Sequence, residues 1–362
     1  MSAGKRTVGI IFGGRSGEHP ISIRSSRYVV DSLDRDRFEP VLIGIDRAGG
    51  WHLFSEDGYR AIADTVPEAG QAVIPVPQGG RCGLVDPNDP GRPLAAPEVI
   101  FPVLHGSYGE DGTIQGMLDM LDVAYVGVGV LGAAVCMDKD VCKRLLRDAG
   151  IPIVPYEVVT AERWQREPDQ VRAAARRLGS PLFVKPASLG SSLGVYRVAE
   201  PGALDAAIEG ALGLDEKILI ERGIDGREIE CAVLGNQAAQ ASIAGEIIPG
   251  EAFYSFEDKY AADSRSRLLI PAPLSEGQSA QVRDLAVRAF LALECRGMAR
   301  VDFFLERSGG ALYINELNTI PGFTSISMYP KLWAASGLDG GALVSRLIDL
   351  ALERHAARHR GA

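Results

Sequence analysis

The chain lacks the features of disulfide-stapled, zinc-binding, membrane-spanning and nucleic-acid-binding proteins. Its five cysteines (Cys82, Cys136, Cys142, Cys231, Cys295) include no CxxC pair, which fits neither a disulfide framework nor a zinc site. Reduced, mostly buried thiols are expected. No apolar run reaches the roughly 18 residues of a membrane span; the longest uncharged stretch, Val123 to Met137, holds fifteen residues and several glycines. Lys5-Arg6 precedes an apolar run, but that run ends at Gly13-Gly14, too soon for a secretory h-region. There is no basic excess either. The net charge of -9 argues against a nucleic-acid or anionic-membrane surface, since both need a basic face. Small-molecule partners and a cytoplasmic location are expected. Internal repeats and low-complexity tracts are also missing.

What is present is 362 residues, 46% hydrophobic and 23% charged, ordinary for a soluble globular protein and long enough for two or three domains. Thr7 to Phe12 reads as a buried strand that enters the glycine-rich turn 13–17 and then a helix from about Pro20. This is a doubly wound α/β beginning. Further strands are expected at Val41–Ile45 and Val99–Leu104, with polar, turn-rich chain around Gln78 to Arg92 between them. Asp138 to Ala149 has helical spacing, stopped by Gly150 and Pro152. Strands at 153–159, 181–185, 194–198 and 218–221, with a helix at 168–178, predict a small second α+β domain. The boundaries that follow are 1–130, 131–221 and 222–362, with a long polar and aromatic loop at about 245–267 whose length suggests a function.

Chemistry is concentrated near the end of the chain. Met298–Glu306 and Ala311–Leu317 flank Ser308-Gly309-Gly310, the pattern of a β-hairpin with a three-residue loop. With Arg307 facing Ala311, Asp302 lies opposite Glu316 and Arg300 opposite Asn318, all on one face. Opposed residues have Cβ atoms roughly 4.5–5.5 Å apart. Two carboxylates so placed, beside a carboxamide, suit a hard cation such as Mg²⁺, which takes oxygen ligands from one or two carboxylates plus substrate phosphates. Elsewhere, Lys185 emerges from an apolar strand into the small-residue loop 188–194, whose backbone N–H groups suit phosphate oxygens. A buried ammonium needs an anion. Lys139 opens a helix where it can reach a phosphate, and Glu221 closes a buried strand. Taken singly, each has a plainer reading: surface lysine, solvated acid, hairpin turn.

The ordered set Gly13-Gly14, Leu104-His105-Gly106, Met137-Asp138-Lys139, Val184-Lys185-Pro186, Gly190-Ser191-Ser192, Arg300-Val301-Asp302 and Asn315 to Thr319 resembles the ATP-grasp ligases, and among them the D-alanine:D-alanine ligase family. The resemblance spans nearly the whole chain and is most specific at FPVLHGSYGEDGTIQG (101–116), FYSFEDKY (253–260) and ELNTIPGFTSISMYP (316–330). It implies an α/β fold with an N-terminal parallel-sheet domain and two α+β subdomains that sandwich ATP. It also implies D-alanyl-D-alanine synthesis through an acyl phosphate for peptidoglycan precursors, with ATP as co-substrate and two Mg²⁺ (or Mn²⁺) as cofactors, in a homodimer. By position, Lys139, Lys185 and Ser192 match phosphate-binding residues, and Lys259 a γ-phosphate contact. Glu221 and Ile224 match adenine contacts and Glu228 a ribose contact, while Asp302, Glu316 and Asn318 match metal ligands. Glu18 matches the acid that takes the first D-alanine's ammonium, with His105 beside it, and Ser191 and Tyr260 match a network that closes the loop over the site. Arg300 and the Gly322 N–H match oxyanion stabilisers; Ser327 and the Met328 backbone match the second carboxylate's subsite. Pro20 and Arg222 depart from an acid and a lysine common in the family. Three alternatives stay open: a D-alanine:D-lactate ligase, a nucleotide-dependent oxidoreductase suggested by the turn at 13–17, which lacks the G-x-G-x-x-G spacing, and a non-catalytic ATP-binding module.

Overall fold

A computed structural model describes residues 4–191, 193–249 and 266–359. Its first part is built on β1 (Arg6–Gly13), β2 (Phe38–Ile45), β3 (Trp51–Phe54), β4 (Gln71–Ala72), β5 (Ile74–Pro77), β6 (Cys82–Asp86), β7 (Asp89–Ala95), β8 (Val99–Pro102) and β9 (Ala124–Tyr125). One sheet runs β4-β3-β2-β1-β8-β9. Strands β2, β1, β8 and β9 are parallel, and β3 and β4 are added antiparallel at one edge. Val8, Ile10, Ile11 and Phe12 are fully buried, as a continuous apolar run covered on both faces requires. The expected turn-rich stretch 78–92 is instead mostly a separate sheet, β5-β6-β7. Its polar side chains face outward on β7 while Cys82 and Leu84 on β6 are buried.

The second sheet, ordered β10-β13-β11-β12, is antiparallel and comprises β10 (Tyr156–Thr160), β11 (Leu182–Pro186), β12 (Tyr196–Val198) and β13 (Lys217–Arg222). The helices Pro168–Leu178 and Leu204–Leu212 bury Val171, Ala175, Ile208 and Ala211 against it. Pro168 occupies the first helical turn, where its missing N–H costs nothing. The third sheet runs β16-β15-β14-β17-β18, formed by β14 (Gly226–Gly235), β15 (Gln240–Ile248), β16 (Arg267–Leu269), β17 (Gly297–Glu306) and β18 (Leu312–Asn318). Strand structure thus continues to Ile248, beyond the expected loop start at 245.

Two helices join the parts. Lys139–Asp148 is capped by Asp138, whose carboxylate accepts from the Asp140 and Val141 N–H groups, the usual repair for unpaired donors in a first turn. The final helix, Gly340–Arg358, returns to the first sheet, where Leu343, Val344, Leu347 and Ile348 share one core with Val8, Ile10 and Phe101. Among the described residues, no helix is long and apolar enough to cross a membrane.

Candidate active site between three sheets

The β17–β18 hairpin places the acidic face, but by a different route from the expected one. Glu306 N–H donates to Ala311 O at 2.8 Å, so the loop holds four residues and starts a register one residue out of phase with the sequence reading. Carried along the strands, that register would set Asp302 against Asn315 and turn Glu316 to the other face. A bulge corrects it: Phe303 pairs with Ile314 but Asp302 pairs with Glu316. Asn315 is the extra residue, and a bulge re-aims its side chain. Its Oδ1 accepts from Lys185 Nζ at 3.3 Å. Arg300 does lie opposite Asn318. Its Nε and Nη2 grip both Asp302 oxygens at 2.7 Å, its Nε also lies 3.0 Å from Glu230, and Asn318 Nδ2 donates to Asp302 at 2.8 Å. Burial works against the Arg300 charge, but Asp302 and Glu230 more than reverse it and hold the guanidinium well above its ordinary pKa.

The lysines approach this face from the second sheet and the 139–148 helix. Lys139 lies 3.9 Å from Glu316 and donates to Leu189 O at 2.6 Å. Lys185 lies 2.8 Å from Glu221, whose other oxygen lies 3.0 Å from Lys143. Lys143 and Glu221 are almost wholly buried. Burial lowers the pKa of Lys139 and of Lys143. It would raise that of Glu221, but the two ammonium groups outweigh it and hold the carboxyl below its ordinary range. Ile224 lies in the short link between β13 and β14, two residues after Arg222, and Glu228 shares a strand face with Glu230 by the two-residue period of β14.

A third group comes from the first sheet. Glu18, at the start of the helix His19–Asp31, accepts from Ser191 Oγ across the cleft. Ser191 has φ 53°, a left-handed value uncommon outside glycine. His105 is buried, with Nδ1 3.0 Å from Ile320 O and Nε2 2.9 Å from Ser25 Oγ. Only the tautomer with Nδ1 protonated satisfies the carbonyl, so Ser25 donates to Nε2. Burial lowers the pKa of His105, which favours this neutral ring. Glu110 accepts from Gly106 N–H at 2.8 Å and Ile320 N–H at 3.2 Å; burial first, then the Glu18 charge, push it up to about 8. Ser327 precedes the helix Met328–Ala335, but its hydroxyl turns back to Thr324, 3.0 Å from the backbone N and 2.7 Å from Oγ1. A Cβ on Gly322 would sit 2.8 Å from that hydroxyl, so only glycine fits the present arrangement.

The structure therefore gathers Glu18, His105 and Ser191, then Lys139, Lys185 and Glu221, then Arg300, Asp302, Glu316 and Asn318 around one cleft. Ser192, Lys259 and Tyr260 lie outside the described residues. The sequence reading did not single out Lys143, Glu110 and Glu230. Lys143 was one helical turn from Lys139, Glu230 two residues from Glu228, and Glu110 inside the 101–116 motif; only position, not residue type, signalled them. The five cysteines are all free and buried. The glycine turn at 13–14 packs tightly, since a Cβ on Gly13 would sit 2.3 Å from Ile45 O.

Cations and acids face each other between two antiparallel sheets, beside a mixed parallel sheet, and comparison with known proteins places this arrangement among the carbon–nitrogen ligases of the ATP-grasp class. Residues 7–128 match the family description "D-ala D-ala ligase N-terminus" and 145–349 match "D-ala D-ala ligase C-terminus". The chain is 46% identical over 360 residues to D-alanine–D-alanine ligase A of Salmonella typhimurium, covering 98% of each. It is 47% identical over 361 residues to a D-alanine–D-alanine ligase of Heliobacterium modesticaldum, covering 99% of this chain and 98% of that one. The D-alanine–D-alanine ligase of Coxiella burnetii superposes with a TM-score of 0.87 at 36% identity, over 99% of this chain and 97% of that one. The VanG D-Ala:D-Ser ligase of Enterococcus faecalis does so with 0.84 at 32%, over 96% and 100%. The chain belongs to the D-alanine–D-alanine ligase family, which replaces the oxidoreductase and non-catalytic readings.

Proposed function

We propose that this ligase joins two D-alanine molecules in two steps, through an acyl phosphate. The supporting observation is that Lys139 meets Glu316, and Lys185 meets Asn315, on the acidic hairpin. Cations suited to phosphate thus stand against oxygen donors suited to a divalent metal. In this reading Lys139 and Lys185 hold ATP phosphates, Glu221 and Ile224 face adenine, and Glu228 faces ribose. Ser192 and Lys259 act on the phosphates as the resemblance implies. Asp302, Glu316 and Asn318 offer only hard oxygen ligands, a set that fits Mg²⁺ or Mn²⁺. When bound, such ions neutralise phosphate charge.

Glu18 holds the ammonium of the first D-alanine, with Ser191 fixing the Glu18 rotamer, His105 lining the subsite and Tyr260 completing the closure. Positioning and charge supply most of the catalysis in phosphoryl transfer, so the carboxylate needs only to be aimed at ATP. The acyl phosphate is then attacked by the second D-alanine's amine. Arg300 and the Gly322 N–H stabilise the resulting oxyanion, while Ser327 and the Met328 N–H, at a helix N-terminus that favours anions, hold the second carboxylate. The setting is cytoplasmic peptidoglycan-precursor synthesis by a homodimer.

The test supplies ATP, Mg²⁺ and D-alanine labelled with ¹⁸O in its carboxylate, and follows dipeptide and phosphate by mass. One ¹⁸O should appear in the released phosphate. Dipeptide formed with unlabelled phosphate overturns the acyl phosphate; D-lactate or D-serine accepted in preference to D-alanine overturns the second-subsite assignment.

A further inference from the structure

Among the described residues, one metal-ligand-like cluster outside the cleft joins the chain after the 113–120 helix to the last helix. The helix Thr113–Met120 closes with Asp122 at φ 53°, a left-handed position after a helix that usually goes to glycine. An aspartate there carries backbone strain, and its carboxylate points at two imidazoles from the last helix. His355 and His359, one turn apart and so on one helix face, place Nε2 3.3 Å and 2.9 Å from the same Asp122 oxygen, Oδ1. The His355 Nε2 also lies 3.1 Å from the Asp122 backbone oxygen. One ligand atom from each of the three residues falls within 4.8 Å of the others.

We propose that Asp122, His355 and His359 form a site for a borderline divalent cation, with zinc as the natural occupant. Zinc bonds of about 2.0–2.1 Å to nitrogen and oxygen imply ligand–ligand edges of about 3.3 Å in a tetrahedron, near the carboxylate–imidazole spacings here. Two imidazoles and one carboxylate suit zinc, copper or nickel and suit Mg²⁺ poorly. Three protein ligands leave a fourth position for water. The nearby Arg358 does not oppose the cation with an unpaired charge, because it is bonded to Asp119. Arg354 is likewise engaged, donating to Tyr125 O at 2.9 Å and to Gly127 O. The metal would finish what these arginines begin, clipping the last turn of the 340–358 helix to the chain leading into β9.

The test is calorimetric titration of chelator-treated, full-length protein with ZnCl₂ at pH 7.5, in millimolar Mg²⁺ to occupy the oxygen-only hairpin site. One zinc per chain is expected, with a matching rise in Tm. His359→Gln and Asp122→Asn should each weaken binding at least about tenfold and abolish the Tm rise, while circular dichroism and ligase activity without zinc stay unchanged. The proposal is overturned by an absence of zinc binding, or by binding of equal strength and stoichiometry in both variants.

Discussion

Replacing Glu221 by Gln removes one negative charge from between two buried ammonium groups, Lys143 at 3.0 Å and Lys185 at 2.8 Å. At an effective dielectric constant of about 20, each contact carries roughly 5 to 6 kcal/mol of Coulomb attraction. Much of that offsets the cost of taking the charges out of water, so the measurable loss on breaking such an arrangement is about 3–5 kcal/mol. Lys143, whose pKa burial already lowers, is the group expected to shed its proton in the variant, which keeps the loss from exceeding that range. Urea unfolding followed by tryptophan fluorescence reads the change, with Trp164 packed against the core of the second sheet as a local reporter. Lys143→Met alone leaves Glu221 paired with Lys185 and should cost less, about 1–3 kcal/mol. The double variant should then fall short of the summed single losses by at least about 1 kcal/mol, because one stranded ammonium has gone. The pH dependence has a definite sign. Burial acts to raise the Glu221 pKa, but the lysines depress it below its unfolded value. Its contribution is therefore fully present above about pH 4.3 and lost as pH falls through the folded value, so wild type and Glu221→Gln should converge in acid. An E221Q loss below about 1 kcal/mol, or additivity within about 0.5 kcal/mol, would refute the coupled-triad account.

Arg300→Lys keeps the charge but loses the two-nitrogen grip on Asp302, and should cut kcat about 10²–10³-fold while ATP affinity, measured by calorimetry, changes less than about threefold. Equal losses in both would make Arg300 a binding or folding residue. Glu110, pushed up to about 8 by burial and Glu18, holds its proton longer in the folded state than in the unfolded chain. Stability should fall as pH rises from about 4.3 to about 8, and Glu110→Gln should flatten that fall; parallel Tm–pH curves would sink the assignment.

Local pattern in the sequence indicated the strands near 7–12, 41–45 and 99–104, those of the second sheet, the helices at 138–149 and 168–178 and the acidic hairpin, because periodicity, caps and stops act over a few residues. The resemblance carried by the 101–116 and 316–330 motifs led to the family. The hairpin shows where such reading stops. Arg300, Asp302, Glu316 and Asn318 were legible as a set, yet their facing pairs depend on a bulge at Asn315 that no local propensity announces. The same holds for Lys143, Glu110 and Glu230. Each is an ordinary charged residue in sequence, and becomes part of the site only because remote strands bury it against a specific partner. The strand-rich stretch 82–95 escaped for a related reason: its polar composition reads as turn, and only its pairing in β5-β6-β7 satisfies the backbone as a sheet. Burial and charge pairing are properties of segments far apart in the chain, so tertiary structure alone decided which titratable groups the fold perturbs.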